Sequence, residues 1–185
     1  EQATGPDDAY WFRDDSGGPG SKPFSVGAWV NRANTTGGDM MISKWQTNQY
    51  EWRVYFTPTD NKVLFELYDE SLNVAPNRTT NAGLSINEWH HVVVTYDSTG
   101  GATAMTGATI YVDGSAVAST ANEQVSYVAM EDGTSIIQLV SDQNDSNNFT
   151  GKVAGGEIGP FFVQKELTAA EVLELYNYGV RNLGL

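Results

Sequence analysis

An antiparallel β-sandwich is the fold this sequence predicts, and three observations carry the prediction. Between Trp89 and Tyr96 the chain reads His-His-Val-Val-Val-Thr, so that Val92, Val94 and Tyr96 alternate with His91, Val93 and Thr95. Bulky β-formers on both parities describe a central strand with little polar surface on either side. Asp113-Gly114 then stands between Ile110-Tyr-Val112 and Ser115-Ala-Val117. Both residues of that dipeptide tolerate the positive φ of a type I′ turn, so it closes a tight hairpin. Finally, nineteen glycines and 40% hydrophobic residues, without a long apolar run, fit many short strands joined by tight turns.

Taken in order, residues 1–23 are polar and rich in Gly and Pro except for Tyr10-Trp-Phe12, an expected edge strand. Phe24 to Asn31 alternates: Phe24, Val26, Ala28 and Val30 share one face, and Ser25, Gly27, Trp29 and Asn31 the other. Thr35-Thr-Gly-Gly38 is a turn, and Met40-Met-Ile-Ser43 a short strand. In Tyr50 to Thr57, Tyr50, Trp52, Val54 and Phe56 oppose Glu51, Arg53, Tyr55 and Thr57. Pro58-Thr-Asp-Asn61 turns the chain into Val63 to Tyr68, where Val63, Phe65 and Leu67 take the core face. Residues 70–87 hold one weak strand, 97–107 a loop, 125–140 one or two weak strands, and 153–163 one or two more.

One helix is expected. Thr168-Ala-Ala-Glu171 is a capping box, in which the Thr hydroxyl and the Glu carboxylate satisfy the first open amides reciprocally. Leu167 and Val172 fit the hydrophobic staple, and Gly179 is the expected stop. The spacing therefore predicts a helix over 168–178.

The length of 185 residues suits a single domain. Cysteine is absent, which removes disulfides, thiolate metal sites and a cysteine nucleophile. The net charge of −13 with ten Lys and Arg argues against nucleic acid, whose phosphates demand a basic footprint. An acidic surface suits solubility and cation binding. No run reaches membrane-span length. No G-x-S-x-G, HExxH or Walker pattern occurs.

Six segments occur in an order that carries a family resemblance: Phe24-Ser-Val-Gly-Ala-Trp-Val, Ile42-Ser-Lys-Trp45, Trp89 to Asp97, Tyr111-Val-Asp-Gly114, Phe149-Thr-Gly151 and Leu167 to Glu171. Together they resemble a laminin-G-like domain of the concanavalin A-like lectin/glucanase superfamily, from about residue 9 to the end. The resemblance implies a jelly roll of two antiparallel sheets, one of them concave. It implies glycan binding, adhesion or a virion- or cell-surface role more often than catalysis.

Glycosidases of that superfamily carry Glu-x-Asp-x-x-Glu on one strand, which aligns two carboxylates. The nearest match here is Glu66-Leu-Tyr-Asp-Glu70, where Tyr68 occupies a place that needs a carboxylate. His90 and His91, the only histidines, lie mid-strand and read first as a core pair. Candidate ligand residues are instead Trp29, Arg53, Tyr55, Tyr68, His91 and Tyr111, each opposite the core parity of its strand. An aromatic floor with an arginine suits sugars, whose C–H faces stack on rings while polar groups fix their hydroxyls. A competing structural reading has Phe56 paired with Val63, which places Arg53 opposite Glu66 as a cross-strand ion pair.

Calcium is a candidate cofactor, the alternative being a solvated polar loop. Asp142-Gln-Asn-Asp145-Ser-Asn-Asn148 concentrates oxygen ligands in one loop. With Ser135-Ile-Ile before it and Glu157-Ile-Gly159 after, the region is similar to the calcium loop of pentraxins. That resemblance assigns Asp142 and Asp145 as ligands and Asn48, in Gln46-Thr47-Asn48, as a contribution from a second loop. The sequence thus predicts a non-catalytic recognition domain for a glycan or glycoprotein, without nucleic acid or membrane insertion, as an extracellular, cell-surface or virion-surface module. The alternative is a structural or adhesive module, and a glycan-active hydrolase or lyase comes third.

Overall fold

The computed structural model describes residues 22–131, 133–141 and 148–185. Its strands are β1 (Phe24–Arg32), β2 (Asp39–Gln46), β3 (Gln49–Phe56), β4 (Val63–Leu67), β5 (Asn77–Thr80), β6 (His90–Tyr96), β7 (Ala108–Val112), β8 (Ser115–Ala116), β9 (Ser119–Asn122), β10 (Ile137–Leu139), β11 (Gly151–Val153) and β12 (Phe161–Val163), followed by helix α1 (Ala169–Leu183). They form two six-stranded sheets. Sheet I runs β11-β1-β6-β7-β8, with β12 also paired to β1; sheet II runs β10-β2-β3-β4-β5-β9. Every pairing is antiparallel. This is the sandwich the alternation predicts. The expected strand at Tyr10–Phe12 lies outside the described residues.

Register places the core. Phe24, Val26, Ala28 and Val30 of β1 pair with Tyr96, Val94, Val92 and His90 of β6. From sheet II, Trp52, Val54 and Phe56 pair with Leu67, Phe65 and Val63. All but His90 of these residues are buried in one cluster between the sheets, each large side chain contributing about 1.5–3 kcal/mol by leaving water. The Phe24 ring sits at its centre, 5.3 Å from Trp52 and 5.7 Å from Tyr96. Val92, Val94 and Ile110 are fully buried as expected, whereas Val112, beside the short edge strand β8, is only half-buried. The predicted hairpin is present, with Asp113 at φ 50° and Gly114 at φ 79°.

Two buried ion pairs mark opposite ends of β2. Arg32 meets Asp39 at 2.6 Å, and Lys44 meets Glu51 beneath the Gly133 backbone. Helix α1 begins with the predicted capping box: Thr168 N donates to Glu171 Oε2 at 2.9 Å, and Glu171 N donates to Thr168 Oγ1 at 3.3 Å. It does not stop at Gly179. It continues to Leu183 and ends at Gly184, whose φ of 71° supplies the left-handed cap. Gly179 has a different purpose: a Cβ there would lie 2.0 Å from Trp29 Nε1, so the missing side chain lets the helix sit directly on the indole.

Candidate functional site

Strand alternation sends Arg53 and Tyr55 out of the sandwich on β3, opposite the core residues Trp52, Val54 and Phe56. Across β4, Arg53 pairs with Glu66 and Tyr55 with Leu64. The Phe56–Val63 pairing that the structural reading required is therefore present, and the cross-strand ion pair is real. Arg53 Nη2 lies 2.7 Å from Glu66 Oε1, and Nε donates to the same oxygen at 2.9 Å. The guanidinium also lies over two rings, its Cζ 4.0 Å from the Trp45 centroid and 4.5 Å from that of Tyr55. A planar, weakly hydrated cation between aromatic faces is held on both sides.

A second set of rings extends this face. A register irregularity between Lys44 and Trp45 brings Trp45 opposite Tyr50. The two rings lie 4.5 Å apart, and Tyr68 stands edge-on to both, at 5.4 Å from Trp45 and 5.2 Å from Tyr50. Tyr68 OH donates to Asn73, and Tyr50 N donates to Glu70 Oε2 at 2.9 Å. Trp45 is thus filled in by its neighbours and buried, while Tyr50, Tyr55 and Tyr68 remain half-exposed. Parity along β3 groups Tyr50 with the core residues Trp52 and Val54, and only the irregularity turns it outward, whereas Trp45 keeps the outward parity of Ser43.

The pair itself retains hydrogen-bonding capacity. Neither Arg53 Nη1 nor Glu66 Oε2 has a hydrogen-bond partner among the described residues. Burial pushes the Glu66 carboxyl up and Arg53 pulls it back down; burial likewise raises the Tyr55 phenol. The pair thus keeps one unused donor and one unused acceptor near half-exposed rings, and Glu66 balances the charge of Arg53.

Trp29, His91 and Tyr111 do not join them, which corrects the sequence-based grouping. They face outward as expected, but from sheet I, on the far side of the molecule. There α1 covers them: Trp29 is 2% exposed, His91 3% and Tyr111 8%. Trp29 stacks on His91 at 5.2 Å and on Tyr176 at 5.5 Å, and those two rings are 6.3 Å apart. Tyr111 belongs to a small apolar cluster with Val93, Leu167 and Val172. The staple residues Leu167 and Val172 thus dock the helix on the sheet, and the three predicted ligand residues are its seat.

Next to that seat lies a polar chain. His90 Nδ1 is 2.9 Å from Asp113 Oδ2, and His90 Nε2 is 2.8 Å from Ser85 Oγ, which in turn donates to Glu88. The order resembles a serine nucleophile relay, yet such a relay needs a neutral imidazole ready to take the serine proton. Here that proton goes to Glu88, and the hydrogen bond to Asp113 raises His90 above its ordinary pKa. Asp113 Oδ1 also accepts from His91 N at 2.8 Å. The chain clasps the β7–β8 hairpin to the start of β6.

Of the expected calcium ligands, Asp142 and Asp145 lie outside the described residues. Asn48 caps the β2–β3 turn at φ 60°. Ser43 Oγ donates to the Ser141 carbonyl at 3.0 Å, which ties Ser141 to the outer side of β2. Among the described residues, no group of three or more His, Asp or Glu side chains could hold a metal ion.

Comparison with known proteins places this geometry in context. The native pentraxin of Limulus polyphemus superposes with a TM-score of 0.56 at 12% identity, over 86% of this chain and 71% of that one. A putative carbohydrate-binding protein from Bacteroides ovatus gives 0.58 at 14% identity, over 88% and 42%. Botulinum neurotoxin type C, whose cell entry depends on two ganglioside molecules, gives 0.53 at 16%, over 85% and 36%. This chain thus spans well under half of the last two. At such identities the likeness is one of fold. No curated protein matches the sequence. The family model described as the concanavalin A-like lectin/glucanases superfamily matches residues 5–172, and to that superfamily this chain belongs.

Proposed function

We propose that this domain recognises carbohydrate, non-catalytically, on the outer face of sheet II. The observation that carries the reading is the Arg53–Glu66 pair set beside half-exposed rings. Arg53 Nη1 can donate to one sugar hydroxyl while Glu66 Oε2 accepts from its neighbour, and Tyr55 and Tyr68 offer stacking surfaces. Because Glu66 neutralises Arg53, the face has no net positive charge to draw an acidic sugar, and the ligand is a neutral glycan or glycoprotein glycan. The carbohydrate- and ganglioside-binding structures that share the fold support the reading. It suits a secreted or surface module, and an enzyme would need a second carboxylate where Tyr68 stands.

Sugars bury little apolar area, so each stacked ring contributes on the order of 1 kcal/mol and single-site affinity is weak. Tyr55→Ala and Tyr68→Ala should each lower glycan binding about tenfold, the equivalent of 1.4 kcal/mol, with little change in melting temperature. The competing reading, a structural or adhesive module, rests on the Arg53–Glu66 pair being sheet reinforcement. It predicts the reverse: a lower melting temperature and no glycan phenotype. Measuring both quantities on the same two variants decides between them.

Calcium at the 142–147 segment with Asn48 is a further part of the proposal. An ion bound only by the native state raises stability by mass action, by about 2.7 kcal/mol at a hundredfold excess over Kd. Melting curves in millimolar calcium and in chelator should separate, and coincident curves would remove calcium from the account.

A further inference from the structure

We infer that the domain carries a second sugar-binding cleft, on the edge of sheet I between α1 and the loop before β6. It is independent of the sheet II face. Outward parity on β1 places Asn31 next to Trp29. The Val30–His90 pairing then brings Trp89, the residue before β6, alongside Asn31, and the hairpin residue Asp113 follows at the end of β7. Tyr176 of α1 forms the opposite wall. Together with Asn87 and Glu88 these side chains line a cleft of about 440 Å³, backed by the Trp29 indole. That volume falls within the ~300–1,000 Å³ usual for small-molecule sites.

The lining residues are held in place while their recognition groups stay available. Asn87 stands at φ 61°, a backbone conformation its side chain tolerates, and its N–H is tied to the Arg32 carbonyl at 2.8 Å. The Asn31 and Asn87 amides make no side-chain hydrogen bond among the described residues. Trp89 is half-exposed and stacks on no described ring, so a face of the indole can receive a ligand. Asp113 is fixed by His90 and His91 but keeps exposed oxygen surface, and Glu88 is exposed.

The chemistry selects the ligand class. Two primary amides both donate and accept, two carboxylates accept from hydroxyls, and an indole and a phenol supply flat apolar area. A polyhydroxylated ring with C–H faces satisfies all of these at once. A phosphate, sulfate or carboxylate sugar would face Glu88 and Asp113, and the cleft lining contains no Lys or Arg to compensate. The ligand is therefore an uncharged pyranose.

The test uses the intact chain, labelled for NMR, titrated with methyl glucoside, methyl galactoside and N-acetylglucosamine as neutral probes and N-acetylneuraminic acid as the acidic one. At least one neutral probe should shift the Trp89 indole and the Asn31 and Asn87 amide signals. Asn31→Ala and Asn87→Gly should each weaken that response about tenfold. Glycine is chosen at 87 because it accepts the positive φ without strain. Tyr55→Ala should leave the response unchanged, because that ring is on the other sheet. Three results would overturn the inference: no shift of these signals with any neutral probe, shifts that survive the Asn31→Ala/Asn87→Gly double variant, or a stronger response to the acidic sugar. Loss of cleft binding leaves the sheet II reading standing, and loss of binding in Tyr55→Ala and Tyr68→Ala leaves the cleft standing.

Discussion

Arg32→Ala should destabilise the domain by about 3–5 kcal/mol, a large part of the ~5–15 kcal/mol that holds an ordinary domain folded. Arg32 continues the inward parity of β1 to the mouth of the sandwich, where it is 2% exposed. Its Nε meets Asp39 at 2.6 Å, while its other nitrogens donate to Asn61, to the Gly37 carbonyl and, at 3.4 Å, to the Thr57 carbonyl. Its Cζ sits 5.5 Å from the Phe56 ring centroid. One guanidinium therefore ties together the 33–38 and 57–61 turns. Truncating it leaves the equally buried Asp39 carboxylate, among the described residues, with only a long contact from Thr150 Oγ1, at 3.4 Å. Urea denaturation at neutral pH measures the loss. Arg32→Met/Asp39→Leu should recover most of it, because removing both charges of a buried pair costs far less than stranding one. A single-variant loss below about 1 kcal/mol would mean that water already reaches Asp39. Since the Arg32 carbonyl also receives Asn87 N–H, the loop lining the second cleft depends on this corner.

The fold was legible because alternation is a local signal. Each of β1, β3, β4 and β6 announces its buried parity by its own spacing, and the Asp113-Gly114 turn fixes one hairpin outright. The helix start was equally plain, since a capping box is complete within its own turn. What alternation does not encode is which sheet a strand joins. Trp29, His91 and Tyr111 share the outward parity of Arg53, Tyr55 and Tyr68, so a parity argument puts all six on one face. Long-range pairing divides them: β1, β6 and β7 build sheet I, and β3 and β4 build sheet II, with Tyr68 just past the end of β4.

The same limit explains the misread glycine. In isolation Gly179 is a helix stop, because glycine weakens a helix by roughly 1 kcal/mol and often caps one. In the fold it is the contact point for Trp29, a residue 150 positions earlier in the chain. Tyr50 is hidden for a related reason: an irregularity in strand pairing changes its parity without leaving a mark in composition. The Arg53–Glu66 pair, by contrast, could be foreseen once Phe56 was set against Val63, because register across a tight turn propagates residue by residue.

Acidification from pH 6.5 to 4.5 should cost the native state roughly 2 kcal/mol through His91 alone. Burial beside Trp29 and Tyr176 lowers its pKa to about 4, and its Nδ1 has no hydrogen-bond partner among the described residues. A histidine with a depressed folded pKa is neutral in both states above 6.5, so it contributes nothing there. As pH falls below 6.5 the unfolded chain takes up a proton that the folded protein refuses, and stability declines until pH approaches 4. His90 behaves oppositely. Its pKa is raised by Asp113, so its contribution is complete below the unfolded value and is lost only as pH rises through the folded one. It therefore adds no slope in the acid window. Glu66, whose carboxyl is raised by burial, relieves its own penalty on protonation and offsets part of the loss near the bottom of that window. Asp60 and Glu171, both lowered, act below it. Urea midpoints of wild type and His91→Phe at pH 7 and pH 4.5 isolate the effect, since phenylalanine keeps a ring against Trp29 and Tyr176 but cannot take a proton. The wild-type loss should exceed that of the variant by roughly 2 kcal/mol, accompanied by a change in Trp29 fluorescence as α1 loosens. Equal losses in the two proteins would assign the acid sensitivity to the carboxylates instead.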